Sequence, residues 1–119
     1  RNIMAHKVVH RLTKPDGNFN TIAEAIADLK STIGEAPFKA SKSSADDQSD
    51  GVVADLNRSS TFIAPNIIEF TDVWTSEAAK DAHYENRVKP AWQGAGITKD
   101  NWATTGKGWT RTIVSAEDV

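Results

Sequence analysis

Apolar residues recur along this chain with two periods, and each change of period marks an element. His6-Lys7-Val8-Val9-His10-Arg11-Leu12 alternates as a strand does. His6, Val8, His10 and Leu12 fall on one face, with Lys7, Val9 and Arg11 on the other. Lys14-Pro15-Asp16-Gly17-Asn18 has turn chemistry. Thr21-Ile22-Ala23-Glu24 fits a capping box, in which a Thr and a Glu three residues later satisfy the first amides of a helix reciprocally. Ile22, Ile26, Leu29 and Ile33 follow at helical spacing, and Gly34 is a natural stop. Residues 35–50 are polar and read as a flexible loop, either a disordered connection or a lid.

Gly51 to Arg58 reads as a second strand, Ala64-Pro65-Asn66 as a turn, and Ile67 to Trp74 as a strong third strand. Thr75 or Ser76 can cap a second helix over residues 77–86, which Pro90 ends or kinks near Arg87 to Lys89. Gly94-Ala95-Gly96 breaks the chain again. Gly108 to Val114 is the last strand. Residues 1–5 read as an N-terminal extension, 6–114 as a single domain and 115–119 as a short polar tail. The order strand, helix, strand, strand, helix, strand predicts an α+β, ferredoxin-like βαββαβ sandwich: a four-stranded antiparallel sheet with two helices on one face.

Composition narrows the function. At 119 residues the chain has the size of one domain. Fourteen Lys and Arg against 16 Asp and Glu give a net charge of −2, which argues against binding nucleic acid by phosphate neutralisation. No apolar run approaches the ~20 residues of a membrane span, and no secretory h-region opens the chain, so a cytoplasmic protein is expected. The absence of cysteine excludes a disulfide scaffold, a thiolate metal site and a cysteine nucleophile. P-loop, dinucleotide-binding, nucleophile-elbow and zinc-protease motifs are missing. Gly106-Lys107-Gly108 is a turn rather than a phosphate loop, because no helix follows it.

All four tryptophans lie between Trp74 and Trp109, as core or as the lining of an aromatic site. His83 shares a helix face with Ala79, Ala82 and Asn86. These small neighbours leave room for a pocket imidazole, though a buried histidine fixing helix to sheet fits equally. Trp74 is either a core plug or a pocket wall. His6 and His10 stand ~13 Å apart on a strand, too far to share one metal ion; one of them can line a pocket mouth. Glu69 calls for a cationic partner, Arg58 or Arg111, or else serves as a cavity acid or base. Tyr84, Trp92, Trp102 and Trp109 are core or interface candidates, with Trp92 and Trp102 placed to cover a pocket rim. Arg87 and Lys89 read as a solvated helix end.

Gly51-Val-Val-Ala-Asp-Leu-Asn-Arg-Ser59, the Pro65-Asn66 turn, Glu69, Trp74 and the run Thr-Ser-Glu77-Ala-Ala-Lys-Asp-Ala-His83 together resemble the antibiotic biosynthesis monooxygenase (ABM-type) family. The likeness spans about His6 to Val114 and is most specific from Trp74 to His83. Ala54-Asp55 stands where that family usually has an aromatic, and Asn86 where it commonly has a serine.

The resemblance implies a homodimer in which two sheets pair face to face as a dimeric α+β barrel. Val9, Ile68, Phe70 and Val114 are expected on the face so covered. It also implies a monooxygenase that needs no cofactor or metal and acts with dioxygen on a small phenolic, anthrone- or quinol-type substrate. His83 would handle the phenolic proton and Trp74 would orient the ring. Asn66, Asn86 or Arg111 would hold carbonyl oxygens, and Glu69, His10 and Trp92 would complete the site. An isomerase, a cyclase or a small-molecule binding protein on the same barrel is the rival expectation. A haem-degrading relative fits less well, since that branch carries an Asn in the first strand and a His near the end of the second helix.

Overall fold

The structure, a computed structural model, describes residues 5–41, 57–98 and 108–119. Alternation in the first strand is realised in β1 (His6–Thr13), which lies inside a sheet of order β2-β3-β1-β4. β3 (Ile67–Trp74) and β4 (Thr110–Asp118) flank it, and β2 (Asn57–Ile63) pairs with β3, every pairing being antiparallel. His6, Val8, His10 and Leu12 stand opposite Trp74, Asp72, Phe70 and Ile68, and opposite Asp118, Ala116, Ile113 and Arg111 on the other side. Directly opposed residues share a face. Val8, Leu12, Ile68 and Trp74 are buried, so this face is the one under the helices.

That register corrects the expected outer face. Ile68 and Phe70 belong with His10 and Leu12 beneath the helices, Ile68 with no exposure at all. The doublet Ile67-Ile68 suits either parity, and pairing with β1 decides it. Val9 lies on the opposite face with Thr71 and Ser115, and Val114 is the extra residue of a bulge between Val9 and His10.

Two strand boundaries also move. β2 runs past the expected end at Arg58 to Ile63, while residues 51–56 of the expected strand lie outside the described residues. The turn at 64–66 makes β2 and β3 a hairpin in which Ile63 meets Ile67. β4 continues to Asp118, so the expected tail is strand, paired with the start of β1.

Helix α1 (Ile22–Ile33) starts as read. Thr21 Oγ1 accepts from the Glu24 amide at 3.2 Å, while Glu24 Oε1 accepts from the amide of Asn20, one residue ahead of the cap. Ala25, Leu29 and Ile33 are its buried stripe, and Gly34 ends it at φ +97°. The expected loop then begins as a second helix, α2 (Glu35–Ser41). Pro37 is tolerated in the first turn, where no intrahelical amide is needed, and Pro37, Phe38 and Ala40 are buried. Residues 42–50 lie outside the described residues.

The second long helix is capped by Ser76, whose Oγ accepts from the Ala79 amide at 3.1 Å. It does not end near residue 87. α3 (Glu77–His83) widens into a π-helical segment (Tyr84–Val88) and continues as α4 (Lys89–Gly94). Pro90 has no amide hydrogen for the usual ladder, and just ahead of it the Lys89 amide reaches back five residues to the Tyr84 carbonyl. The Gly94-Ala95-Gly96 break is as read, with Gly96 at φ +78°. Arg87, expected in solvent, is half-buried.

The core joins Leu12 and Ile68 of the sheet to Leu29, Ile33, Val88, Trp92 and Trp109. Trp109 is fully buried, stacked 5.9 Å from Phe19, and its indole donates to Asp28 at 2.9 Å. The result is an α+β fold with an open four-stranded antiparallel sheet and helices on one face, compatible with a ferredoxin-like arrangement. Among the described residues no helix is long and apolar enough to cross a membrane.

Candidate functional site

Between the sheet and the helices the fold leaves a cavity of about 420 Å³, within the range of small-molecule sites. Its floor is the helix-side face of the sheet: Val8, His10 and Leu12 of β1, Phe70, Asp72 and Trp74 of β3, and Arg111, Ile113 and Ala116 of β4. Leu29, Ile33 and Phe38 form one wall. His83, Tyr84, Val88 and Trp92 form the other, with Lys80, Asp81 and Glu85 also lining it.

Trp74 ends β3 and His83 ends α3, and Ser76 fixes the turn between them. Both are buried, with ring centroids 4.9 Å apart and planes inclined at 43°. Such a contact holds the imidazole against an apolar wall. Arg111 lies opposite Leu12, with its guanidinium carbon 5.1 Å from the Trp92 ring centroid, a cation–π distance. Burial pushes the Arg111 pKa below its ordinary value, and Tyr84 acts in the opposite sense. The Trp92 indole donates to the Pro37 carbonyl at 3.3 Å, tying α4 to α2.

Of the residues singled out from the sequence, the cavity brings together His10, Trp74, His83, Trp92 and Arg111. Trp92 is a buried wall rather than a rim. Three candidates do not join them. Glu69 points to the opposite face of the sheet, where it accepts from Arg11 Nε at 2.8 Å. The cationic partner that Glu69 calls for is thus Arg11, the residue directly across the pair. Asn66 donates from Nδ2 to the Lys14 carbonyl at 3.0 Å and accepts the Lys14 amide at 3.0 Å, locking two turns together. Asn86 is exposed on the π segment and lines no part of the cavity.

His6 is buried beside the sheet edge, its Nδ1 2.9 Å from Asp118 Oδ1, so His10 alone of that pair reaches the cavity. Trp102, Gly106 and Lys107 lie outside the described residues. Asp72, buried in the cavity floor, was missed; its parity with Trp74 along β3 is the signal that finds it. Tyr84, a core or interface candidate, packs against the core and also lines the cavity. Among the described residues no group of three or more His, Asp or Glu side chains is arranged to hold a metal ion.

The arrangement is a partly open cavity with aromatic side chains, two imidazoles, a buried carboxylate and a guanidinium in its lining. It can hold a planar ring against apolar side chains and exchange a proton with it. No protein-family model matches the chain, and no curated protein matches it significantly. A crystal structure of a protein of unknown function from Nitrosomonas europaea superposes with a TM-score of 0.50 at 14% identity, covering 100% of this chain and 92% of that one. The chain is similar to that protein in fold.

Proposed function

We propose that the cavity binds a small aromatic phenol of anthrone or quinol type, and that the protein oxidises it with dioxygen without a cofactor, as a monooxygenase. The observation that carries this reading is the Trp74–His83 ring contact in the wall of a cavity of about 420 Å³. The resemblance of the Trp74 to His83 segment to the ABM-type family supports it, as does a sheet compatible with the ferredoxin-like βαββαβ sandwich of that family. On the same reading two copies pair through the face that carries Val9 and Thr71, as a dimeric α+β barrel.

The chemistry asked of the protein is modest. His83 accepts the phenolic proton, and the resulting anion is electron-rich enough to reduce dioxygen directly. One oxygen atom enters the ring and the other leaves as water, with the two hydrogens the substrate loses. Trp74 orients the ring beside His83. Anthrone turnover should therefore consume oxygen one for one and stop under nitrogen. His83→Ala should lower kcat by about 10²-fold or more, as expected for loss of a general base. Oxygen-independent conversion would mark an isomerase or cyclase instead, and no conversion across a phenol panel would overturn the assignment.

A further inference from the structure

We propose that ligands enter this cavity over the β4 edge, and that Ala116 at that entrance sets the width of the ring system admitted. The inference rests on the cavity being an aromatic-ligand site, as proposed above, and does not depend on oxidation. The lining residues divide by exposure. Leu29, Ile33 and Phe38 of one wall are buried, and so are His83, Val88 and Trp92 of the other. Among the described lining residues, the exposed ones are Asp81 of α3, Glu85 of the π segment, and Ile113 and Ala116 of β4. A partly open cavity opens where its lining meets solvent, so these residues mark the entrance.

The strand pair and the helix pair lie on one side of the fold. β4 is an edge strand of the sheet, whereas β3 is flanked on its far side by β2. β3 and β4 each pair antiparallel with β1, so the run from α3 to α4 is a crossover between parallel strands. It reaches over β4, because the Arg111 guanidinium carbon lies 5.1 Å from the ring centroid of Trp92 on α4. In register, Ala116 stands beside Val8, and Val8 beside Asp72 of β3. From lip to β3 the floor thus crosses two strand spacings, ~10 Å, a length suited to fused rings laid across the strands. Trp74, the next residue of β3 on this face, carries the contact with His83 at the inner end.

Ala116 is the smallest side chain among the described lining residues. A core alanine is kept small by the neighbours that crowd it, and a larger residue there strains the packing. Ala116 is exposed on an edge strand, so packing does not set its size. Its methyl group leaves the lip low beside Ile113, which is 53% exposed. The bulge residue Val114 falls between the two. Bulges bend an edge strand, re-aim its side chains and recur next to active sites. A longer side chain at position 116 shares the helix-side face with Val8 and stands in the way in.

The test is stopped-flow tryptophan fluorescence of the full chain under nitrogen, with 2-naphthol and the broader 9-phenanthrol as ligands. An obstacle at an entrance slows entry and exit alike, whereas loss of a contact to the seated ligand acts mainly on exit. Ala116→Phe should slow both association and dissociation of 9-phenanthrol by about tenfold, within the range that single changes produce in association rates. Association of 2-naphthol should change less than about twofold. Ser115→Phe, one residue along on the opposite face, should leave both ligands as in wild type. If Ala116→Phe does not fold, Ile113→Ala lowers the same lip and should speed 9-phenanthrol association several-fold. Unchanged association in the variant that folds, equal slowing by Ser115→Phe, or a change in dissociation alone overturns the inference. Binding of neither ligand by wild type overturns the cavity as an aromatic site. Gating by Ala116 without oxygen consumption in air removes only the monooxygenase assignment.

Discussion

Asp28 shows how much a single polar side chain organises here. Its Oδ2 accepts from Lys14 Nζ and from the Trp109 indole, each at 2.9 Å, and so joins the turn after β1, α1 and the fully buried Trp109. Burial by itself raises this carboxyl's pKa, but the hydrogen bonds from Lys14 and Trp109, with the Lys14 charge, hold it below its ordinary 3.8. A carboxyl whose pKa is lower folded than unfolded stabilises the fold fully above its unfolded value, and loses that contribution as pH falls through the folded one. Asp28→Ala should therefore cost ~1.5–3 kcal/mol in urea unfolding at pH 7, leaving an indole donor buried. Asp28→Asn cannot ionise, so its deficit relative to wild type should shrink below about pH 3.8. A deficit that stays constant with pH would show that the charge contributes nothing. Asp28 was invisible beforehand because its partners lie 14 and 81 residues away. Trp74 and His83 were legible because they are close in sequence and flank one capped turn. Glu69 and Asp72 were exchanged for a simple reason: strand parity tells which residues share a face, and only pairing with β1 tells which face is covered.

Elements were legible where local chemistry sets them and illegible where tertiary contacts do. Thr21, Gly34, the 64–66 turn and Ser76 each act through neighbours within about one helical turn, and each does so here as read. α2 has only Phe38 as a large apolar residue, and its burial comes from distant partners such as Trp92, whose indole binds the Pro37 carbonyl. Nothing local distinguishes such a segment from a polar loop. The run from α3 to α4 was shortened for the opposite reason, since Pro90 is a strong local break signal that a π segment absorbs. The Ser76 cap also positions the helix that carries His83. Ser76→Ala should cost ~1 kcal/mol, as N-caps commonly do. Ser76→Asp should retain most of that stability, since Asp caps as well as Ser does and its charge suits a helix start. Urea midpoints for the two variants separate the cap from side-chain bulk; equal losses would mean that the hydroxyl does not cap in solution.

At the scale of the whole molecule the sheet has two unlike faces. One is buried under helices and holds the cavity. The other mixes Val9, Ile67 and Val73 with Lys7, Thr71 and the Arg11–Glu69 pair, and is less apolar than the sequence led us to expect. Such a surface suits a two-fold interface with a polar component, in which each copy presents the same patch. The β4 edge offers a competing route, because Ile113 and Val114 are exposed there and an edge strand can pair with another copy. The two geometries make opposite predictions. Val9 sits on the face, between Thr71 and Ser115 in register, so Val9→Lys inserts a charge into a face-to-face dimer and leaves an edge pairing intact. Val114→Lys charges the β4 edge and leaves the face as it was. Wild type should sediment at twice 12.9 kDa, Val9→Lys at the single mass with its circular dichroism unchanged, and Val114→Lys as wild type does. The reverse outcome assigns the contact to the edge, and a wild-type chain that sediments at the single mass removes the barrel. Because the cavity lies on the helix side, ligand affinity should be the same in the Val9→Lys monomer as in the dimer; a loss of binding on dissociation would mean that the partner helps to shape the site from across the sheet.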